Sequence, residues 1–128
     1  ETGLGITPGF GGTQRLARII PVGKAKEMLY AGTKIKADEA LSLGLVNAVY
    51  PSEELLPAAE KLASKIARNA PIAVRASKKA VDEGLQVSID EAIVIEEKLF
   101  GSCFETEDQR NGMAAFLNKE KAPAFQNK

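Results

Sequence analysis

The 128 residues contain no histidine, no tryptophan and a single cysteine, Cys103. Without imidazole, every Ser-His and Cys-His nucleophile system is excluded. One thiol allows neither an internal disulfide nor a structural zinc tetrad of Cys and His. Any chemistry therefore falls to carboxylates, lysines, tyrosines or backbone amides. Net charge is missing too: 17 Lys and Arg balance 17 Asp and Glu, so no overall field favours nucleic acid or a membrane surface. No apolar run approaches the roughly 20 residues that a spanning helix needs, and none reads as a signal segment. The expected setting is cytoplasmic, with no nucleic-acid or membrane partner.

Glycine, by contrast, is concentrated at the start. The stretch ETGLGITPGFGGTQRL has five glycines among its first twelve residues, a density expected where backbone approaches something closely or turns where no side chain fits. Neither phosphate fingerprint is met. Gly3 and Gly5 are followed by Pro8 where G-x-G-x-x-G needs glycine, and no G-x-x-x-x-G-K-[ST] occurs. Pro8 to Gly12 leads instead into a helix whose first-turn amides lack internal partners. Such amides can hold a water, a carboxylate or a phosphate, or the glycines only shape a tight turn; the residues leave both readings open.

The remainder reads as mainly α, six to seven helices with one or two short strands. Leu16, Ile19 and Ile20 share a face of a helix over 13–20 that ends near Pro21. Helices follow over 24–30, with Met28 and Leu29 inward and Gly32 past its end, and over 38–43, closed by Gly44. LVNAVYP alternates like a strand over Val46 to Tyr50, although a lone strand leaves its backbone groups unpaired. Pro57 is expected in the first turn of a helix over 57–68, because an interior proline loses a hydrogen bond and clashes. Pro71 opens the next helix, with Gly84 beyond its end. Ser88 to Glu91 is a capping box for a helix reaching Phe100, and Thr106 to Gln109 repeats the device for a helix burying Met113, Ala114, Phe116 and Leu117. A lysine-bearing tail follows. The length allows one domain with a real core, organised as residues 1–50 and a helical region over 51–128.

The opening, together with GKAKEMLYAGTKIKADEALSLGLVNAVYP and the ending CFETEDQRNGMAAFLNKEKA, resembles the C-terminal half of the crotonase (enoyl-CoA hydratase/isomerase) family, in particular its short-chain enoyl-CoA hydratases. The resemblance runs the length of the chain. It implies the end of an α/β spiral of β-β-α turns, over 1–50, closed by a helical region over 51–128 that serves trimer or hexamer formation. It also implies a lyase reaction, in which two glutamates hold a water that adds across the double bond of an enoyl thioester while two backbone amides hold the thioester oxygen. No cofactor is implied; the acyl-CoA is the substrate.

By the same resemblance, Glu1 matches the second glutamate, the acid that delivers a proton to the α-carbon. Gly9 matches the glycine whose amide positions the water. Phe100 and Lys119 match positions that contact coenzyme A, the ring against the ligand and the ammonium near its phosphates. On residue type alone Phe100 reads equally as core and Lys119 as a solvated lysine. The other glutamate and both oxyanion amides belong to family segments preceding Glu1, so the 128-residue chain is expected to be inactive alone and to self-associate, with exchanged helices as one route. Three alternatives stand beside the hydratase: an isomerase or other branch of the family, a non-catalytic helical association module, and a phosphate-binding domain using the glycine turn. Arg15, Arg18, Cys103, Tyr30 and Tyr50 are not assigned to a site.

Overall fold

The computed structural model describes all 128 residues. A 3₁₀ turn, Thr2–Leu4, precedes seven helices: α1 (Gly12–Ile19), α2 (Val22–Ala31), α3 (Ala37–Ser42), α4 (Ser52–Ala67), α5 (Pro71–Gly84), α6 (Ile89–Cys103) and α7 (Glu107–Leu117). Two compact units divide the chain, Glu1–Leu56 and Pro57–Lys128.

The mainly helical expectation holds, but the strand over Val46 to Tyr50 does not form. Residues 45–47 bend and 48–50 are irregular. A strand needs a ladder partner for its N–H and C=O groups, and here Val46 N–H finds only the Ala40 carbonyl, at 3.4 Å.

In the first unit α1 packs on α2. Ala25 of α2 is completely buried, as nearly are Ile20 at the end of α1 and Ala40 of α3. Ile19, expected beside Ile20, faces out and is 54% exposed. Lys24 ties α2 to α3, its ammonium lying 2.8 Å from Glu27 and 3.0 Å from Glu39. The hydrogen bond to Glu27, then that to Glu39, raises the Lys24 pKa above its ordinary value. Gly32 ends α2 with φ 64°, its N–H on the Met28 carbonyl, the left-handed closure that glycine adopts without Cβ strain.

Pro57 does not open α4; it lies inside it. The helix starts five residues earlier, where Glu53 and Glu54 occupy the positive end of the dipole and the Pro51 carbonyl accepts from Glu54 and Leu55 at 3.0 and 3.1 Å. Pro57 falls in the second turn, where it forgoes one bond, to the Glu53 carbonyl, and the helix continues past it. None of the residues of α4 is buried, although Leu55, Leu62 and Ile66 share one helical face.

In the second unit α5 packs against α6. Gly84 is the last residue of α5, not a residue beyond it. Its role is proximity, because an added Cβ would lie 3.3 Å from that of Ala92. Gly84→Val is expected to overpack this crossing and cost about 1–3 kcal/mol, read as a lower urea midpoint. The Ser88 capping box forms in full: Ser88 Oγ accepts from Glu91 N–H at 3.4 Å, and Glu91 Oε2 accepts from Ser88 N–H at 3.1 Å and from its hydroxyl at 2.8 Å. The hydroxyl bond first, then the backbone bond, lowers the Glu91 pKa. A depressed carboxyl contributes stability above its ordinary pKa and loses it as pH falls through the lowered value. The stability gap between the protein and Ser88→Ala should therefore narrow in acid; an unchanged gap in acid unfolding curves would contradict the box.

At α7 only half the expected device appears: Thr106 Oγ1 accepts from Gln109 N–H at 3.1 Å, without a return bond. The buried face also differs from the expected one. Phe116 and Leu117 are 76% and 70% exposed, whereas Asp108 and Ala115 are buried. Asp108, Gly112 and Ala115 lie at i, i+4 and i+7, and the C-terminal segment folds back over them. Glu120 N–H bonds the Ala115 carbonyl at 2.8 Å. An added Cβ on Gly112 would meet the Phe125 ring at 3.2 Å. Asp108 Oδ1 and Oδ2 accept from the backbone N–H groups of Gln126 and Asn127, both at 2.7 Å.

Candidate functional site

Two sets of candidate residues lie in different units. In the first, Glu1 caps the 3₁₀ turn, its carbonyl accepting from Leu4 N–H at 2.8 Å and Ile6 N–H at 3.3 Å. Its side chain is exposed. Thr2 Oγ1 donates toward the Leu29 carbonyl at 3.2 Å and so fastens this turn to the end of α2. Pro8 to Gly12 then turns into α1, with Gly9 exposed in the middle.

That turn is held at both edges. A Cβ on Gly12 would touch Pro8 Cβ at 3.3 Å. Gly11 has φ 80°, and an added Cβ there would come within 2.6 Å of Arg15 Nη1. Position 11 thus favours glycine through its left-handed backbone conformation, while the Arg15 guanidinium covers the space a Cβ would enter. Arg15 Nη2 donates to the Phe10 carbonyl at 2.8 Å. Arg15 was legible in the sequence only as one of two arginines on a helix, since nothing local showed that its side chain runs backward.

In the second unit Phe100 stands 66% exposed on α6, its ring edge-on to Phe104 with centroids 5.1 Å apart, a favourable aromatic geometry. Both line an apolar cleft of about 450 Å³ with Ala73, Val81, Leu99 and Met113. Cys103 also faces it. Phe100 is therefore neither closed core nor an isolated surface ring. Lys119 sits in the turn after α7 with φ 58°, exposed and not among the residues lining that cleft. No three Cys, Asp or Glu side chains cluster as metal ligands would. No helix is long and apolar enough to cross a membrane.

The helical backbone is similar to parts of solved enzymes. The crystal structure of enoyl-CoA hydratase from Bacillus anthracis superposes with a TM-score of 0.92 at 42% identity, over 99% of this chain and 49% of that one. The sequence model for enoyl-CoA hydratase/isomerase matches residues 1–128. The chain belongs to the enoyl-CoA hydratase/isomerase family. Among curated relatives, the short-chain-enoyl-CoA hydratase of Clostridium acetobutylicum is 52% identical over all 128 residues, which is 49% of its own length. The crotonyl-CoA hydratase of Syntrophomonas wolfei is 56% identical over 122 residues, 95% of this chain and 47% of that protein. The chain spans about half the length of the curated relatives it matches.

Proposed function

We propose that this chain supplies the later half of a short-chain enoyl-CoA hydratase, a lyase that reversibly adds water across the 2,3 double bond of an enoyl-CoA thioester. The carrying observation is the identity of 52% and 56% to proteins named short-chain-enoyl-CoA and crotonyl-CoA hydratases, spread over 100% and 95% of the chain. In this reading water oxygen bonds to the β-carbon and a proton reaches the α-carbon. Glu1 delivers that proton, and the Gly9 amide positions the water. Phe100 packs against the ligand, its exposed ring beside an apolar cleft suiting the role. Lys119 offers an ammonium to the coenzyme A phosphates.

The family chemistry calls for a second glutamate and two oxyanion amides beyond those these residues provide. Oxyanion donors contribute about 3–4 kcal/mol each to transition-state stabilisation, and a positioned acid or base contributes about 10²- to 10⁴-fold. The 128 residues alone therefore give no measurable turnover. Joining the upstream half of the Clostridium acetobutylicum relative to Glu1 makes a chimera in which the reading is tested. With crotonyl-CoA it should yield 3-hydroxybutyryl-CoA. Migration of the double bond in a 3-enoyl-CoA without hydration would assign the chain to an isomerase branch instead.

Self-association belongs to the same proposal and has its own support. The chain leaves 10160 Å² accessible. A compact domain of 13.6 kDa leaves about 6,600 Å², and two compact halves about 7,900 Å². The excess is apolar in part, with Phe10 at 92%, Leu4 at 81% and Leu85 at 74% exposure. Faces of this kind seek partners. Sedimentation velocity should show oligomers that grow with concentration; a clean monomer throughout would contradict this part of the proposal.

A further inference from the structure

We propose that Arg15 is a positioning residue for the reaction, acting through the turn that carries Gly9. The inference rests on the hydratase reading for its catalytic consequence, but its structural half stands alone. Arg15 closes the turn twice. Its own N–H bonds the Gly11 carbonyl at 3.0 Å as α1 begins, and its guanidinium bonds the Phe10 carbonyl at 2.8 Å. Between those two bonds the guanidinium lies over Gly11, where an added Cβ would meet Nη1 at 2.6 Å and Cζ at 3.3 Å. A planar fork suits this place, because it donates at its edge while its body covers a residue without a side chain.

Arg18 supplies an internal contrast. One turn further along α1, it spends its guanidinium on Gln14, at 3.0 Å to the carbonyl and 2.9 Å to Oε1, and makes no hydrogen bond to the turn. Gly9 N–H makes no hydrogen bond within the chain, so its direction is set by the turn and not by a partner of its own. An amide that must meet a small reactant loses rate steeply when its direction drifts. The Arg15 bond to the Phe10 carbonyl, one residue beyond Gly9, is the side-chain hydrogen bond that restrains the turn there.

The test pairs Arg15→Ala with Arg18→Ala in two settings. In the 128-residue chain, ¹⁵N relaxation should show the order parameter at Gly9 falling from the rigid range near about 0.85 toward about 0.6 in Arg15→Ala, with no change in Arg18→Ala. In the chimera, Arg15→Ala should lower kcat by about tenfold to 10²-fold with KM within about twofold, and Arg15→Lys, which keeps a donor for Phe10, should recover part of both losses. An unchanged Gly9 order parameter, or an unchanged kcat in an active chimera, overturns the assignment. If the unsubstituted chimera hydrates nothing, the hydratase reading has failed, and the relaxation comparison still decides whether Arg15 sets the turn.

Discussion

Glu1→Gln in the chimera is expected to lower kcat on crotonyl-CoA by about 10²- to 10⁴-fold while KM changes little. Glutamine keeps the size and polarity of the side chain but has no proton to give and none to take. The proposed role of Glu1 is to complete the addition by protonating the α-carbon, a step made only in the transition state, so its loss falls on kcat. Glu60→Gln, the same charge change at an exposed glutamate of α4, serves as the control and should leave the rate within about twofold. A Glu1→Gln enzyme of normal rate would show that the α-carbon proton comes from another group.

Asp108→Ala is expected to lower the stability of the second unit by about 2–3 kcal/mol and to expose the C-terminal segment. The carboxylate is 2% exposed and is the buried charged group of the chain. Each of its oxygens accepts one backbone N–H at 2.7 Å, and hydrogen bonds to charged groups contribute about 1.5–3 kcal/mol apiece. The loss stays below their sum because the freed tail is hydrated once it peels away. Asp108→Asn should be little better, since its amide turns a donor toward one of two donors. With so few buried apolar residues, Ile20, Ala25, Ala40 and Ala115, a loss of this size matters. Urea unfolding and tryptic cleavage at Lys119 and Lys121 should both report it. A protein with the original urea midpoint and cleavage rate would show that the clasp contributes nothing.

The contrast between Asp108 and Ser88 shows how much of this fold was legible in the sequence. Ser88 with Glu91, Gly32 after α2 and Pro71 opening α5 act within a few residues of themselves, so their signals appear in the local string and the elements follow. Asp108 reads locally as one more acid in a first turn; its partners lie 18 and 19 residues away, and no period or motif announces them. The same holds for α7, whose buried face carries an aspartate, a glycine and an alanine where hydrophobicity points to Phe116 and Leu117. Pro57 misleads for another reason, because the penalty of an interior proline is local and the helix runs through it from Ser52 to Ala67. Val46 to Tyr50 has strand propensity without a ladder to satisfy it, and propensity alone does not make a strand.

The candidate site divides in the same way. Glu1, Gly9, Phe100 and Lys119 stand out only through family resemblance, and composition supplies the frame: no imidazole, hence carboxylates and amides. The structure adds what residue type cannot, that Gly11 lies in a left-handed conformation under the Arg15 guanidinium, and that Phe100 opens onto a cleft.

One catalytic site, in the proposed reading, is divided between this chain and a segment that the longer relatives carry. The most direct measurement follows the loss of the enoyl-thioester absorbance of crotonyl-CoA with three samples at equal concentration: this chain, the upstream half of the Clostridium acetobutylicum relative, and the two joined at Glu1. Turnover is expected in the joined protein and in neither part. Hydration by the 128 residues alone, or a folded joined protein that leaves crotonyl-CoA untouched, would contradict it.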